Sequence, residues 1–480
     1  MIEVHRNNII IRNVDVSSTE YDKFVKAYSE WNKLLHKYES NIINKIGNDI
    51  YIPSSIGVDI IKRFFPTKEV VISYNNTVKP KQLVYTMLHK PRDEIQQSAI
   101  TFLQNMKTDN NCKQRFLALV TGSGKTFVTI TMIGWLRVKS LIVVDTERLA
   151  TQWKEEFLKH SNIDPNRIII LSGADSIEEA INNSSNYDVF IGMHATLLNV
   201  MKEDYNAMNN LMAKLGIGFR IFDEAHTHFK NICKINALSN VEYTLYLTAT
   251  PSRSAFRDDQ LYGKVFRKIP YFNGKELNPI TNYCDVILYK FDSEPDERTK
   301  YSCKTQMGFS AQLWARWIEG GGYDNYLECL KDIFTNFKLK ERDKKIAIIL
   351  PTINLIEKTK QDLEDFLNVD VGLFVGSHSS GKSVSIEEKT SALEKKVFIT
   401  NTKMFDKAID VPDLEILINF VPMTSEVTLE QLMGRIRYRA DKAHIFIDIT
   451  DVGFPSCKKQ LYTRKQFYKK HAKSIREMKI

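Results

Sequence analysis

Two segments of the chain end in Gly-Lys followed by a hydroxyl residue, a combination able to wrap a phosphate. Residues 119–126 read Leu-Val-Thr-Gly-Ser-Gly-Lys-Thr, and residues 376–383 read Gly-Ser-His-Ser-Ser-Gly-Lys-Ser. Such a loop works through successive backbone N–H groups, a lysine that reaches the outer phosphates, and a hydroxyl that holds Mg2+. The strict spacing, Gly then four residues then Gly-Lys-Ser/Thr, fits only the second segment, because Leu119 stands where the first glycine belongs. The physical requirements favour the first. The loop must leave a strand and enter a helix packed on a sheet, so that the helix N-terminal amides face the phosphates. Residues 116–120 (FLALV) are strand-like, and FVTITMIGWL after Thr126 makes a strongly apolar helix. After Ser383 comes VSIEEKTSALEKK, a polar surface helix, and 376–383 itself reads as a Gly/Ser turn at a strand end. Thr121, Gly122, Ser123, Gly124, Lys125 and Thr126 are therefore the candidate phosphate-binding residues, with Thr126 also a candidate Mg2+ ligand.

Roughly 100 residues later, Asp223-Glu224-Ala225-His226 follows the apolar run 218–222. A strand-end Asp can hold Mg2+ beside a phosphate chain, directly or through water. The adjacent Glu can polarise an attacking water. Paired acids at a strand end are often only a solvated turn, but here they follow a credible phosphate loop. Lys125, Asp223 and Glu224 are thus the first catalytic candidates, for hydrolysis of a nucleotide such as ATP with Mg2+.

Such residues need a frame of parallel strands. The runs 168–171 (IIIL), 189–192 (VFIG), 219–224 (FRIFDE), 245–250 (LYLTAT), 346–350 (IAIIL) and 397–401 (VFITN) read as buried strands, several separated by helical stretches. At 480 residues the chain exceeds one compact core. The expected organisation is an α/β protein. It has a small α+β N-terminal module (1–84), a first parallel-sheet lobe (85–270), a connector and second lobe (271–456), and a basic C-terminal helix or tail (457–480). In the module, a strand at 8–14, a helix over 20–38, a short strand at 49–52 and a helix at 56–65 are expected.

Composition excludes several classes. No apolar run approaches the roughly 18 residues of a membrane span, and the N-terminus reads as a strand with no signal-peptide zones, so a cytoplasmic location is expected. The six cysteines show no CxxC spacing, which suggests neither zinc nor a redox pair. Net charge is +9, and from Cys457 to Ile480 nine Lys or Arg stand against one acid, Glu477. That tail can neutralise phosphates, with Tyr462, Phe467 and Tyr468 available to stack on bases. It also reads as an amphipathic helix with Leu461, Tyr468, Ala472 and Ile475 on one face.

The DEAH box followed by Thr248-Ala249-Thr250-Pro251 resembles motifs II and III of superfamily 2 helicases. The other motifs then occur in order over residues 85–456. Gln96 resembles the adenine-reading glutamine. Residues 145–153 (DTERLATQW) resemble motif Ia and 192–197 (GMHATL) motif Ib, which in the family lie on the nucleic-acid backbone. Residues 408–412 (AIDVP) resemble motif V, with Ala408 where glycine is usual. Residues 431–439 (QLMGRIRYR) resemble motif VI. The resemblance implies two tandem RecA-like lobes, with ATP and Mg2+ as cofactors. It assigns Gln431 and Arg435 to catalysis and Asp410 to the nucleotide. Thr146, Arg148, Gln152, His194, Thr196 and Thr402 are assigned to nucleic acid. Motif VI departs from the family pattern, which places the second arginine at Tyr438; Arg437 and Arg439 flank it, and the sequence leaves open which of them serves. The Gln-Trp ending of motif Ia, LTATPSR and the GRI of motif VI are most similar to the repair and recombination branch, above all the UvsW-like phage helicases. That implies a monomer moving 3′ to 5′ on branched or forked DNA with a single-stranded segment, in the host cytoplasm if phage-encoded. An RNA helicase, the motor subunit of a restriction system and a nucleic-acid clamp that binds ATP without turnover are the competing readings.

Overall fold

The computed structural model describes residues 1–479 except 33–35, 41, 75–82, 120–122, 202–205, 249–255, 275–283, 306–307, 340–343, 407–410, 412 and 437–443. Thr121, Gly122, Asp410, Arg437 and Arg439 lie outside the described residues. The chain divides into two compact units, Met1–Asn278 and Pro279–Ile480.

In the first unit the apolar runs form a parallel sheet. Among the described residues its spatial order is Ile168–Leu171, Val189–Met193, Ser140–Val144, Phe219–Phe222, Tyr243–Thr248, Gln114–Ala118 and Tyr271–Asn273. Ser140–Val144 and Phe219–Phe222 are buried at every position, which is why they lack the alternation of a one-faced strand. Helices enter where capping residues permit: Asp93 accepts from the amide of Gln96 to start Glu94–Thr108, and Thr146 accepts from Leu149 to start Glu147–His160. Helix Lys125–Leu136 buries Phe127, Val128, Ile130, Met132, Ile133 and Leu136. The strand order sets the carboxyl ends of Ser140–Val144, Phe219–Phe222, Tyr243–Thr248 and Gln114–Ala118 side by side, the edge where open α/β sheets bind ligands.

The N-terminal residues form a five-stranded sheet in the order Asn44–Ile46, Asp49–Pro53, Asn8–Ile11, Ile2–Val4, Val70–Ile72. The helix expected over 20–38 is shorter, Thr19–Ala27, and is followed by the hairpin Glu30–Asn32 with Lys37–Glu39. Its apolar face is spent once Phe24 and Tyr28 pack against Phe64 and Phe65. This sheet is stitched to the parallel sheet by buried amides. Asn7 Nδ2 donates to Thr244 Oγ1 at 2.8 Å, Asn7 Oδ1 accepts from the Val241 amide at 2.7 Å, and Asn8 Nδ2 donates to the Ala237 carbonyl at 2.8 Å. Their cores are continuous.

The second unit is a second parallel sheet, in the order Val371–Phe374, Val397–Thr400, Lys345–Ile349, Leu414–Asn419, Ile445–Asp451, Asp285–Phe291, Ser474–Lys479. Two parallel-sheet RecA-like lobes with an N-terminal α+β module are thus the architecture. One expectation fails at the C-terminus. The helix Pro455–His471 ends at Ala472, whose backbone is extended, and the chain then adds an edge strand beside Asp285–Phe291. Ile475 therefore belongs to a strand and does not share a helix face with Leu461 and Tyr468.

Candidate nucleotide and nucleic-acid site

Lys125 is the first residue of its helix, after Gly124 in the left-handed region at φ 86°. A Cβ at Gly124 would collide with the Gln96 amide. Gln96 lies across this loop: its Nε2 donates to the Ser123 carbonyl at 3.1 Å and its Oε1 accepts from the Arg92 amide at 2.8 Å. Lys125 Nζ donates to the Leu119 carbonyl at 3.4 Å and stands 3.5 Å from Glu224 Oε1. Thr126 follows on the same helix, partly exposed.

Asp223 follows the end of its strand. One carboxyl oxygen accepts from the Glu224 amide at 2.9 Å and the other from the Trp153 indole at 2.9 Å. Burial, and then Glu224 beside it, raise its pKa to about 6, while Lys125 and Trp153 oppose the shift. Glu224 sits at φ 43°, an uncommon conformation for a side-chain-bearing residue. Backbone strain of this kind clusters at functional sites, where the surroundings over-determine it. Here the Asp223 carboxylate holds the Glu224 amide, and the Ala225 amide donates to the Leu247 carbonyl at 2.8 Å. His226 links this turn to the next strand through a 2.8 Å hydrogen bond with Thr248 Oγ1.

This donor set fits Mg2+. Two half-buried carboxylates face a single ammonium, and hard oxygen donors are what Mg2+ selects. A divalent cation would relieve both causes of the raised Asp223 pKa.

The motif Ia residues share one helix. Thr146 caps it with its hydroxyl, and Arg148 and Gln152 are partly exposed. His194 differs from expectation. It is 3 % exposed, with its ring 4.8 Å from that of His228 and stacked on Phe222 at 6.2 Å. His228 in turn meets Asp145 Oδ1 at 2.7 Å. The ring expected to touch nucleic acid is instead packed inside the lobe, enclosed by Phe222 and His228. Thr196 is also buried, along a cleft of about 550 Å3 with Ser172, Gly173 and Lys214.

In the second unit, Gln431 and Arg435 lie one helical turn apart on Glu426–Arg435, whose Leu429, Leu432 and Met433 are buried. Thr402 opens the helix Thr402–Asp406. The loop 376–383 is a closed hairpin. The His378 amide donates to the Lys382 carbonyl at 2.8 Å, the Gly381 amide to the His378 carbonyl at 2.9 Å and the Ser379 amide to Glu357 Oε1 at 3.1 Å. A carboxylate already occupies the place an anion would take, and the next helix starts only at Ile386.

Trp153, His226 and His228 carry contacts that motif spacing alone does not assign. Trp153 left a sequence signal in the Gln-Trp ending of motif Ia and His226 in the DEAH box, whereas His228 left none.

Residues 89–253 match the family described as type III restriction enzyme, res subunit, and residues 325–439 match the helicase conserved C-terminal domain. The DNA 3'-5' translocase XPB2 of Sulfurisphaera tokodaii is 26% identical over 374 residues, 71% of this chain and 78% of that protein. The transcript termination protein A18 of Yaba-like disease virus is 20% identical over 380 residues, 75% of this chain and 72% of that protein. Among solved structures, S. cerevisiae Dbp5 bound to RNA and ADP BeF3 superposes with a TM-score of 0.57 at 15% identity, covering 82% of this chain and 90% of that one, a likeness of fold. Among the described residues no helix is long and apolar enough to cross a membrane, and no cluster of three or more His, Cys, Asp or Glu is placed to hold a metal.

Proposed function

From the premise that the chain is a superfamily 2 helicase, an ATPase that works with Mg2+, we propose that it is a DNA translocase moving 3′ to 5′ and remodelling branched or forked DNA. The observation that carries the reading is the gathering of Lys125, Asp223 and Glu224 at one sheet edge. The translocase relative matched along most of its length supports DNA as the track. Branched DNA rests on the likeness of the motifs to the UvsW-like helicases. A monomer in the host cytoplasm is part of the same reading.

The residues take these roles. Gln96 holds the base end and residues 121–126 the phosphates, with Lys125 on the outer pair. Asp223 and Thr126 would hold Mg2+, which when bound neutralises charge between the outer phosphates. Glu224 orients and polarises the attacking water. From the second lobe, Asp410 contacts the nucleotide, while Gln431, Arg435 and one of Arg437 and Arg439 spread the charge that develops on the transferred phosphate. An arginine in this role is worth about 10³-fold or more in rate. Hydrolysis in this reading thus draws on residues of both lobes. Arg148, Gln152 and Thr402 contact the DNA backbone, which makes binding sequence-independent.

The test is ATP hydrolysis on single strands, duplexes, forks and four-way junctions, with matched RNA forks alongside. Forks and junctions should stimulate most. Absence of stimulation by any DNA overturns the motor, and stimulation by RNA alone replaces it with an RNA helicase.

A further inference from the structure

The positive charge near the C-terminus is sorted by the fold into two populations. One is consumed internally. Arg464 is 1 % exposed; its Nε donates to Asp448 Oδ2 at 2.8 Å and its Nη2 to Thr450 Oγ1 at 2.8 Å. Lys465 pairs with Glu477 at 2.6 Å. Cys457, Leu461, Phe467 and Tyr468 are buried with Arg464, so two of the three aromatic residues expected to meet bases are part of the core.

The other population faces solvent. With 3.6 residues per turn, Lys458, Lys459, Tyr462, Gln466, Lys469 and Lys470 fall on the side of the helix opposite Arg464 and Phe467. All six are exposed, Tyr462 at 69 %. Among the described residues none of the four lysines takes part in an ion pair, and the sequence of this helix contains no acid. Other surface helices in the chain mix their signs: Ile353–Leu367 pairs Lys360 with Glu364 at 2.6 Å, and Glu147–His160 pairs Lys159 with Glu156 at 3.4 Å. A solvated surface normally intersperses charge. A face of one sign repels itself and is relieved when an anion lies along it.

We propose that this exposed face of the helix Pro455–His471 docks the phosphate backbone of duplex DNA, a contact additional to the helicase motifs; it rests on the reading of the chain as a DNA motor. Lysines act on phosphate as point charges and read no sequence. A single exposed ring does not make the row of aromatic side chains that a single strand stacks on. The apolar side of the helix is already buried in the lobe, so it has nothing to insert into a lipid surface. From Lys458 to Lys470 the helix runs about 18 Å, along which a duplex carries about ten phosphates.

The full-length quadruple variant Lys458→Gln, Lys459→Gln, Lys469→Gln, Lys470→Gln tests this, with duplex affinity measured by anisotropy across a salt series, without nucleotide. The slope of log affinity against log salt should fall by about 3 to 4, with affinity at least tenfold weaker at low salt. The corresponding four-arginine variant should restore both. ATP hydrolysis without DNA and the unfolding midpoint should stay at wild-type values, since these side chains are exposed. An unchanged duplex slope overturns the proposal. So does loss confined to single strands, or loss confined to anionic vesicles of phosphatidylserine. Failure here with wild-type hydrolysis still stimulated by DNA removes this surface alone. Wild-type protein that neither binds nor responds to DNA removes the motor reading itself.

Discussion

The indole Nε1 of Trp153 donates a 2.9 Å hydrogen bond to Oδ2 of Asp223, 70 residues further along the chain. Trp153 is 3 % exposed, and Asp223 stands at the end of the neighbouring strand. Gln152, the residue before this tryptophan, is a candidate nucleic-acid contact on the same helix. One helix thus joins the proposed DNA track to the acid proposed to hold Mg2+. Trp153→Phe keeps the ring and loses the donor. A hydrogen bond to a charged group is worth about 1.5–3 kcal/mol, so the DNA-stimulated turnover rate should fall about tenfold or more. The Mg2+ concentration giving half-maximal rate should rise, while DNA affinity without nucleotide stays within about twofold. A wild-type turnover rate would reduce the bond to packing.

The two loop lysines separate cleanly. Lys125→Ala should lower ATP hydrolysis by about 10²–10³-fold, the usual cost of losing a positioned donor to developing charge. Lys382→Ala should leave it nearly intact, because the neighbouring amides already serve Glu357 and their own hairpin. Steady-state hydrolysis with saturating DNA measures both, and the reverse result would move the nucleotide site to the second loop.

His194 predicts a pH dependence of stability. Burial, reinforced by His228, holds its pKa down at about 3, with Asp145 opposing. Unfolded, it titrates near 6.5. The unfolded chain therefore binds the extra proton between these values, and stability falls as pH drops below about 6.5. Between pH 7.5 and 5 this residue should cost about 2 kcal/mol. Urea unfolding of wild type and His194→Gln at both pH values reads it: the variant should lose less stability on acidification by about that amount. Parallel losses would show that His194 does not stay neutral in the folded protein.

The buried pair Arg464–Asp448 anchors the C-terminal helix. Arg464→Met strands Asp448, which is fully buried, and should destabilise the second lobe by about 3–5 kcal/mol, measured by chemical unfolding. Adding Asp448→Asn should recover part of the loss. For the same reason, removing residues 457–480 deletes an anchored helix and an edge strand along with the lysines. Point substitutions on the exposed face are the cleaner probe of DNA contact.

Parallel strands buried on both faces are legible in the sequence because each must be a short apolar run; 168–171, 189–192 and 397–400 appear as such in the fold. The candidate loop at Lys125 is legible because the helix after it has to be apolar to pack on a sheet, a local demand that FVTITMIGWL meets. The sequence alone also sets the order of the motifs and the bias of charge toward the C-terminus. Tertiary structure decided the rest. It enclosed His194 between Phe222 and His228, brought Trp153 to Asp223, and made residues 474–479 an edge strand beside Asp285–Phe291. It also divided the C-terminal cations into an anchoring Arg464 and an exposed row of lysines. Local pattern records what neighbours within a turn or a strand require of a residue. Which distant edge or carboxylate it will meet depends on how the whole sheet is ordered, and that order is written in no single segment.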